Sequence, residues 1–322
     1  MTPVFRTAVA ALIAIAAIGA APVEKPADAP VTDWSNVETV IVQGRPAGPA
    51  MWRITKGNSE VWILPTVGPV PKSLQWDTDG VSDVLKGATA LWMPPRATVG
   101  VFEGLWFWMT GMDALEQPDG VTLESMLHDP LKARFIAART SIGKDADDYG
   151  KYLPAVAAAF LERDFWKASD LANDVLPSTI EHLASHQGVP VKTIATIRGM
   201  DVIKDVPKMS QSAQLACVEA ALADIDTQRA HAAAAARAWA VGNLDGIKAN
   251  YSEIRLGTCL NASATYASLR EKAIADTTNA IIAALSRPGK SVFVVPLGDF
   301  LRNKSVLDRI IADGAEVSGP GT

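Results

Sequence analysis

Apolar and β-branched runs near both ends of the chain predict strands. Met51–Thr55 and Glu60–Leu64 are two such runs, and the segment Lys56-Gly57-Asn58-Ser59 between them is typical of a hairpin turn. Prolines and glycines bound the remaining runs and fix where the strands stop. These further strands are predicted at Thr89–Met93, Val189–Ile194, Ser291–Val295 and Ala315–Val317.

Helical periodicity dominates the middle of the chain. The longest predicted helix runs from Ser210 to about Val241, with Ser210 or Ser212 as its N-cap. Together the two patterns predict an α/β fold, with a central β-sheet built from the N- and C-terminal segments and a large inserted helical bundle at about 100–286. The other predicted helices are Asp79–Leu85, Thr122–Leu183 with breaks at Pro130, Gly143 and Pro154, Tyr266–Leu285, and Ser305–Ala312.

The segment Val101–Leu115 is rich in aromatic residues and methionine, among them Phe102, Trp106 and Trp108. It is too short to span a bilayer as a helix. We expect a buried or groove-lining helix here. The alternative is a membrane-surface or partner-binding segment, in which Trp106 and Trp108 are binding residues.

The first residues have the layout of a secretory signal. Arg6 precedes the uncharged apolar run Ala8–Ile18, and small residues follow. We therefore predict a signal peptide at 1–21, a flexible tether at 22–49 and one globular domain at 50–319. The expected location is the periplasm, with no transmembrane helix in the mature chain. An uncleaved N-terminal anchor is the alternative.

Composition narrows the classes of partner. The 322 residues carry 30 basic and 35 acidic side chains, a formal charge of −5, without a block of like charge. Nucleic-acid binding needs a basic patch or stripe, so nucleic acid is excluded as a partner class. The expected partner is a protein or peptide in the periplasm.

Cys217 and Cys259 are the two cysteines of the chain. In an oxidising compartment we expect a disulfide between them, which stabilises a fold by roughly 3–4 kcal/mol in the chain-entropy estimate. Two separate buried thiols are the alternative.

Four places in the chain together resemble the TraB/GumN family. The hairpin region ends in Pro65-Thr66-Val67-Gly68, in the place of the family's Gly-Thr-Ile-His. Leu91-Trp92-Met93-Pro94 stands where a family strand ends in an acidic residue. Pro296-Leu297-Gly298-Asp299 stands in the place of a Gly-x-Gly-His. In a fourth, softer match Ala195 takes the place of a glutamate.

The resemblance implies an α/β domain and metal-dependent peptide hydrolysis. In the family the two motif histidines and an acidic residue at strand ends would hold the ion. A catalytic metal site needs about three protein ligands and an open position for water. Strand ends at the crevice of an α/β sheet give such ligands a rigid mount.

This chain lacks the implied ligands. Its four histidines are His128, His182, His186 and His231, so neither terminal motif contains one. Gly68 has no side chain, and prolines replace both motif glycines. We therefore predict no metal, no cofactor and no assigned catalytic residue. The degenerate site positions are Pro65, Thr66, Gly68, Pro94, Ala195, Pro296 and Asp299.

Five other side chains carry groups that are capable of coordination, anion binding or proton transfer. Asp299 is expected as a helix cap or turn residue, and cation coordination or action as a base is the alternative. Arg96 and Arg198 follow predicted strands and are either surface residues or the edge of a small anion-binding crevice. His182 and His186 share a helix face, which an exposed helix end explains unless a third metal ligand lies near.

The observations favour an exported, catalytically degenerate relative of the family, a pseudoenzyme that acts as a binding or scaffold module. Its contact surface is either the retained crevice or the aromatic segment. The alternative is a metal-dependent, peptidase-like hydrolase with a site rebuilt around Asp299. The enzyme question therefore stays open, with the missing ligands weighing against activity.

Overall fold

The structure of the protein, a computed structural model, describes residues 48–301 and 306–320. The predicted signal peptide and the predicted tether up to residue 47 lie outside the described residues, as do Ser305 and the side chain of Trp108. The strands are β1 Trp52–Lys56, β2 Ser59–Thr66, β3 Val70–Pro71, β4 Leu91–Met93, β5 Arg96–Thr98, β6 Leu171–Ala172, β7 Val191–Thr193, β8 Thr196–Arg198, β9 Gly289–Pro296 and β10 Glu316–Ser318.

The helices follow the predicted pattern closely, and α1 has the predicted bounds. Short 3-10 segments occur at Met112–Leu115, Val206–Lys208 and Leu260–Ala262. The α-helices are α1 Asp79–Leu85, α2 Val101–Thr110, α3 Leu123–Met126, α4 Leu131–Ser141, α5 Ala146–Tyr149, α6 Pro154–Ala168, α7 Val175–His186, α8 Gly199–Ile203, α9 Gln211–Ala240, α10 Leu244–Asn250, α11 Arg255–Cys259, α12 Ala264–Leu285, α13 Leu297–Leu301 and α14 Val306–Ala312.

In the described part of the chain, the main sheet has six strands in the order β10-β1-β2-β9-β4-β7. The strands β2, β9, β4 and β7 run parallel to one another. On one side of them β1 pairs antiparallel with β2, and β10 pairs antiparallel with β1. The predicted α/β fold is confirmed, with a sheet drawn mainly from the N- and C-terminal segments. One strand, β7, comes from within the predicted helical insertion.

The predicted hairpin is present between β1 and β2. Lys56 pairs with Ser59 across the turn. Gly57 adopts a φ of 57°, in the left-handed region that glycine enters without steric cost. The hairpin places β2 beside β9, so that the carboxyl end of β2 reaches the parallel part of the sheet.

β9 lies inside the sheet, between β2 and β4. Its central residues Val292–Val295 are buried, as the continuous apolar run of an interior parallel strand requires. On the neighbouring strand Trp92 stacks on Phe293, with ring centroids 5.7 Å apart. The stacked pair lies at matching positions of β4 and β9, so it supports the register in which these two strands end at the same edge of the sheet.

Two hydrophobic clusters form the interior. One surrounds the main sheet, and the other lies among the helices of the insertion, chiefly α4, α6 and the first half of α9. The 30-residue α9 is about 45 Å long and contributes to both clusters. Its N-cap is Ser210, whose hydroxyl accepts a hydrogen bond from the backbone N–H of Ala213, as the sequence predicted.

Cys217 in α9 and Cys259 at the end of α11 lie at disulfide distance, with Cα atoms 5.3 Å apart. The predicted pairing therefore agrees with the fold, and it ties α11 to the long helix. None of the helices in the described part of the chain combines the length and apolar character that a bilayer crossing requires.

Candidate functional site

The parallel strands end at the same edge of the sheet, where α/β folds form their crevices. In the ladder between β2 and β9, Thr66 lies opposite Pro296. Pro94 follows β4 directly, and Ala195 lies two residues after the end of β7. The two strands are held together here by the N–H of Ile194, which donates to the carbonyl of Met93 at 3.0 Å. We call this region the strand-end crevice: Pro65–Pro69, Pro94, Ala195 and Pro296–Asp299.

The Gly68 side of the strand-end crevice is filled by Asn173, which lies between β6 and α7. A β-carbon built on Gly68 would lie 2.5 Å from the side-chain oxygen of Asn173. The cleft beside Gly68, against α9, has a volume of about 20 Å³. That is room for about one water molecule, so a larger ligand does not fit here.

The other side of the strand-end crevice holds Glu253, from the loop between α10 and α11. A β-carbon built on Gly298 would lie 2.8 Å from Cδ and 3.0 Å from Cγ of Glu253. The glutamate side chain therefore packs directly on the backbone of Gly298, beside Asp299. Glycine is required at this position by close approach rather than by backbone angle.

Asp299 in α13 faces Arg270 in α12. The Arg270 guanidinium lies 3.9 Å from the Asp299 carboxylate. Burial raises the pKa of Asp299, and Arg270 counteracts part of that rise. One third of the Asp299 side chain is still exposed. The phenol of Tyr266, one turn before Arg270, also has its pKa raised by burial.

Trp239 forms the floor under Pro65. Its indole N–H donates to the Pro65 carbonyl at 2.7 Å, and its ring meets Trp76 edge to face at 5.1 Å. Trp239 is buried, so this hydrogen bond is made in a dry environment where an unpaired group is costly. The bond joins α9 to the end of β2.

Gln228 of α9 lines the cleft, and behind it lie two buried carboxyl groups, Glu162 of α6 and Asp224 of α9. The amide N–H of Gln228 donates to Glu162 at 3.1 Å, and its oxygen accepts from the indole N–H of Trp166 at 2.7 Å. Burial, together with the nearby Asp224 carboxylate, raises the pKa of Glu162 to about 8. Burial also raises the pKa of Asp224 to about 6, opposed by backbone N–H donors and by Arg255.

The residues present do not fit the metal that the family resemblance implies. Gly68, Pro94 and Ala195 offer no side-chain donor, and Asp299 faces a guanidinium. Across residues 48–301 and 306–320, no group of three His, Cys, Asp or Glu side chains is placed to hold an ion.

All four histidines lie at exposed positions. His182 and His186 are neighbours on α7, with ring centroids 4.6 Å apart. His231 meets the side-chain oxygen of Asn250 at 3.1 Å. His128 precedes α4.

Arg96 and Arg198 lie on the neighbouring strands β5 and β8, which form a separate parallel ribbon. Arg96 binds Glu181 at 2.9 Å, and Arg198 binds Asp201 at 3.2 Å. Both arginines therefore have carboxylate partners of their own, on an exposed surface. This arrangement favours the surface interpretation over the anion-binding crevice.

The aromatic segment forms α2, and the structure differs from the expectation of a buried helix. Phe107 packs partly buried against the helical cluster, and the opposite face of α2 is open. Exposed fractions are 88% for Phe102, 53% for Leu105, 69% for Trp106 and 65% for Met109. We call these four residues the α2 stripe. The high apolar content predicted burial, but α2 packs against the helical cluster only on the side of Phe107.

Sequence reasoning missed Asn173, Glu253 and Arg270, the three residues that fill or neutralise the crevice. Nothing in their local sequence marks them, because each reaches the strand ends through tertiary packing. Glu162 and Asp224 were also missed, since charged residues in amphipathic helices ordinarily face solvent.

A model of the TraB/PrgY/gumN family matches residues 50–319. No curated protein and no solved structure matches the chain. The matched range includes the whole main sheet and the helices that close the strand-end crevice.

Proposed function

The chain belongs to the TraB/PrgY/gumN family, and from that premise we propose that it is an exported, catalytically degenerate member that acts as a binding or scaffold module. The observation that carries the proposal is the state of the strand-end crevice. Its glycines are covered by Asn173 and Glu253, and its one carboxylate at a motif position faces Arg270. Internal side chains take up the space and charge that a substrate or ion would need.

The contact surface of the module is the α2 stripe. The cleft in the crevice holds about one water molecule, whereas the α2 stripe presents four large apolar side chains at the surface. Concentrated apolar exposure of this kind marks protein or membrane contact sites. The partner is therefore expected at α2 and not at the strand ends.

Export is part of the proposal and rests on the sequence of the N-terminal residues. A charged start, an apolar run and small residues are the marks of a secretory signal. N-terminal sequencing of protein recovered from the periplasmic fraction tests it. A mature start near residue 22 supports export with cleavage, and full-length protein in the cytoplasmic fraction contradicts it.

Metal analysis and peptide hydrolysis test the loss of catalysis. We expect substoichiometric metal in the purified protein, the same value in Asp299→Ala, and no hydrolysis of a peptide library with added Mn²⁺, Co²⁺ or Zn²⁺. One equivalent of metal that is lost in Asp299→Ala contradicts the proposal. Lys272→Ala, at an exposed ion pair on the same helix as Arg270, is the matched control.

A second candidate function is a metal-dependent, peptidase-like hydrolase with a site rebuilt around Asp299. The observation in its favour is that the Glu253 carboxylate packs on Gly298, the residue before Asp299, and that burial raises the pKa of Asp299. General acid–base catalysis uses carboxyl groups perturbed in this way. Hydrolysis that disappears in both Asp299→Asn and Glu253→Gln, with folding intact, supports this candidate over the first.

A further inference from the structure

The α2 stripe is arranged as one half of a helix–helix contact. Phe102, Leu105, Trp106 and Met109 follow the spacing i, i+3, i+4 and i+7, which places them along one face of the helix. The helix is about 15 Å long. With roughly 150–250 Å² for a large aromatic side chain as a guide, the stripe presents on the order of 600 Å² of apolar surface.

The ribbon of β5 and β8 lies next to α2 in the chain and is also uncovered. Each strand has three residues, and within the described residues each has one strand neighbour, so one backbone edge stays open on either side. Most of the ribbon is exposed. A two-stranded ribbon of this length is marginal in water, and open strand edges invite pairing with another chain.

The charges around the stripe are balanced within the chain. Lys204 lies 3.4 Å from Glu103, and Lys208 lies 3.1 Å from Asp205. The arginines of the ribbon have the carboxylate partners described above. These ion pairs leave no cluster of like charge that would select an oppositely charged partner or repel an identical one.

We infer that the α2 stripe is covered by a second copy of this chain, in a two-fold dimer with the two α2 helices antiparallel. The inference rests on the proposed function, because it names the partner of that contact surface. A helix face is self-complementary about a two-fold axis, and two stripes cover on the order of 1,200 Å², the lower bound of specific, stable interfaces. The open ribbon edges lie beside this contact and extend it.

A lipid bilayer is a poorer occupant of the same face. Anionic lipid attracts clusters of basic residues, and the charges here are balanced. The open strand edges next to the stripe carry backbone groups that a hydrocarbon environment would leave without hydrogen bonds. A protein surface satisfies both the apolar stripe and the strand edges.

Sedimentation equilibrium of the mature protein over a range of concentrations tests the dimer. We expect a dimer whose dissociation constant rises at least tenfold in Trp106→Asp. Ile311→Asp, at an exposed apolar residue outside α2, is the matched control and leaves the constant unchanged. A chain that stays monomeric at about 100 µM overturns the inference, as does a dimer that Trp106→Asp does not weaken.

A cross-link tests the antiparallel arrangement. Leu105 lies near the middle of the stripe, so a two-fold axis brings the two copies of it together. Leu105→Cys should form a covalent dimer under mild oxidation, and Val241→Cys, equally exposed but away from α2, should not. Binding of the monomer to neutral or anionic vesicles in place of self-association also overturns the inference. Neither result bears on the metal analysis, so a failure here is distinguishable from a failure of the proposed function.

Discussion

At the strand-end crevice, side chains from distant segments pack on the glycines and pair with the carboxylate. On the α2 stripe, apolar side chains face solvent without cover from the rest of the described chain. Asn173 and Glu253 lie on the two glycines of the crevice, and Arg270 faces Asp299. On α2 the rings of Phe102 and Trp106 are largely exposed. The strand ends are therefore packed by side chains of the same chain, and the exposed face of α2 is not.

The difference has a physical cause in each place. A crevice without its ion would leave polar backbone and carboxylate groups poorly solvated, and internal partners remove that cost. An exposed apolar stripe carries a hydration cost that the chain alone does not remove, and a partner does. Asn173, Glu253 and Arg270 thus contact the strand-end residues from within the chain, whereas the α2 stripe has no such cover among the described residues.

The sharpest test of this comparison replaces one tryptophan in each region. Trp239→Ala should lower the free energy of unfolding by about 3–5 kcal/mol, because it opens a cavity and leaves the Pro65 carbonyl without its donor. Trp106→Ala should change the same quantity by less than about 0.5 kcal/mol in dilute protein. Urea denaturation of both variants gives the two values.

Trp239→Phe is the partial control for volume, since it keeps an aromatic ring in the core but loses the hydrogen bond to Pro65 together with a smaller part of the side-chain volume. Its cost should fall between the other two. If Trp239→Ala is as mild as Trp106→Ala, the crevice is not an integral part of the core, and the comparison fails.

The second test concerns the disulfide, which holds the loop of Glu253 through α11. Cys217→Ala with Cys259→Ala should lower the free energy of unfolding by about 4 kcal/mol, because removal of a cross-link between residues 42 apart in the sequence raises the chain entropy of the unfolded state. Denaturation midpoints of the oxidised protein and the variant measure it. Equal midpoints, with two free thiols in the starting protein, contradict the pairing.

Local sequence signals account for most of the fold. The hairpin around Gly57, the bounds of α1 and the Ser210 cap of α9 follow from turn chemistry and periodicity over a few residues. The parallel order of the sheet follows from strands separated by helices. These features were predictable because each depends on neighbours in the chain.

The contents of the candidate site were only partly predictable. The loss of donors at Gly68, Pro94 and Ala195 could be seen in the sequence, since it depends on residue type alone. The groups that fill the vacated space come from distant segments, as Asn173 and Glu253 do. The exposure of α2 was missed for the opposite reason, because apolar content predicts burial but does not say which face finds a neighbour.

The third test uses pH to probe the buried carboxyl pair of Glu162 and Asp224, behind the cleft. The pKa of Glu162 is about 8 in the folded chain, against an ordinary value of 4.5 for a glutamate, so the unfolded chain ionises first as the pH rises. Stability should therefore be greatest below about pH 5 for this group and should decline between pH 5 and 8. Glu162→Gln should remove most of that decline and stabilise the protein at pH 8 by about 2 kcal/mol.

Denaturation midpoints at pH 5, 6, 7 and 8 measure the effect. Asp224 ionises in the same direction with a pKa of about 6, so a smaller decline below pH 7 should remain in the variant. Glu181→Gln, at an exposed ion pair, is the control and should leave the slope unchanged. A wild-type stability that rises from pH 5 to 8, with the same slope in Glu162→Gln, would show that the carboxyl is not buried as described.

The smallest expected effect is the one most specific to the filled crevice. Gly298→Ala should lower the free energy of unfolding by about 1 kcal/mol, because its methyl group collides with the Glu253 side chain even though alanine suits a helix better than glycine. Gly80→Ala in α1 has its nearest neighbour at 3.9 Å and should be neutral or stabilising. In a Glu253→Ala background the cost of Gly298→Ala should vanish, giving a coupling of about 1 kcal/mol in a double-mutant cycle. A cost that persists without Glu253 would mean that Gly298 is required for another reason, and that the crevice is closed by something other than this side chain.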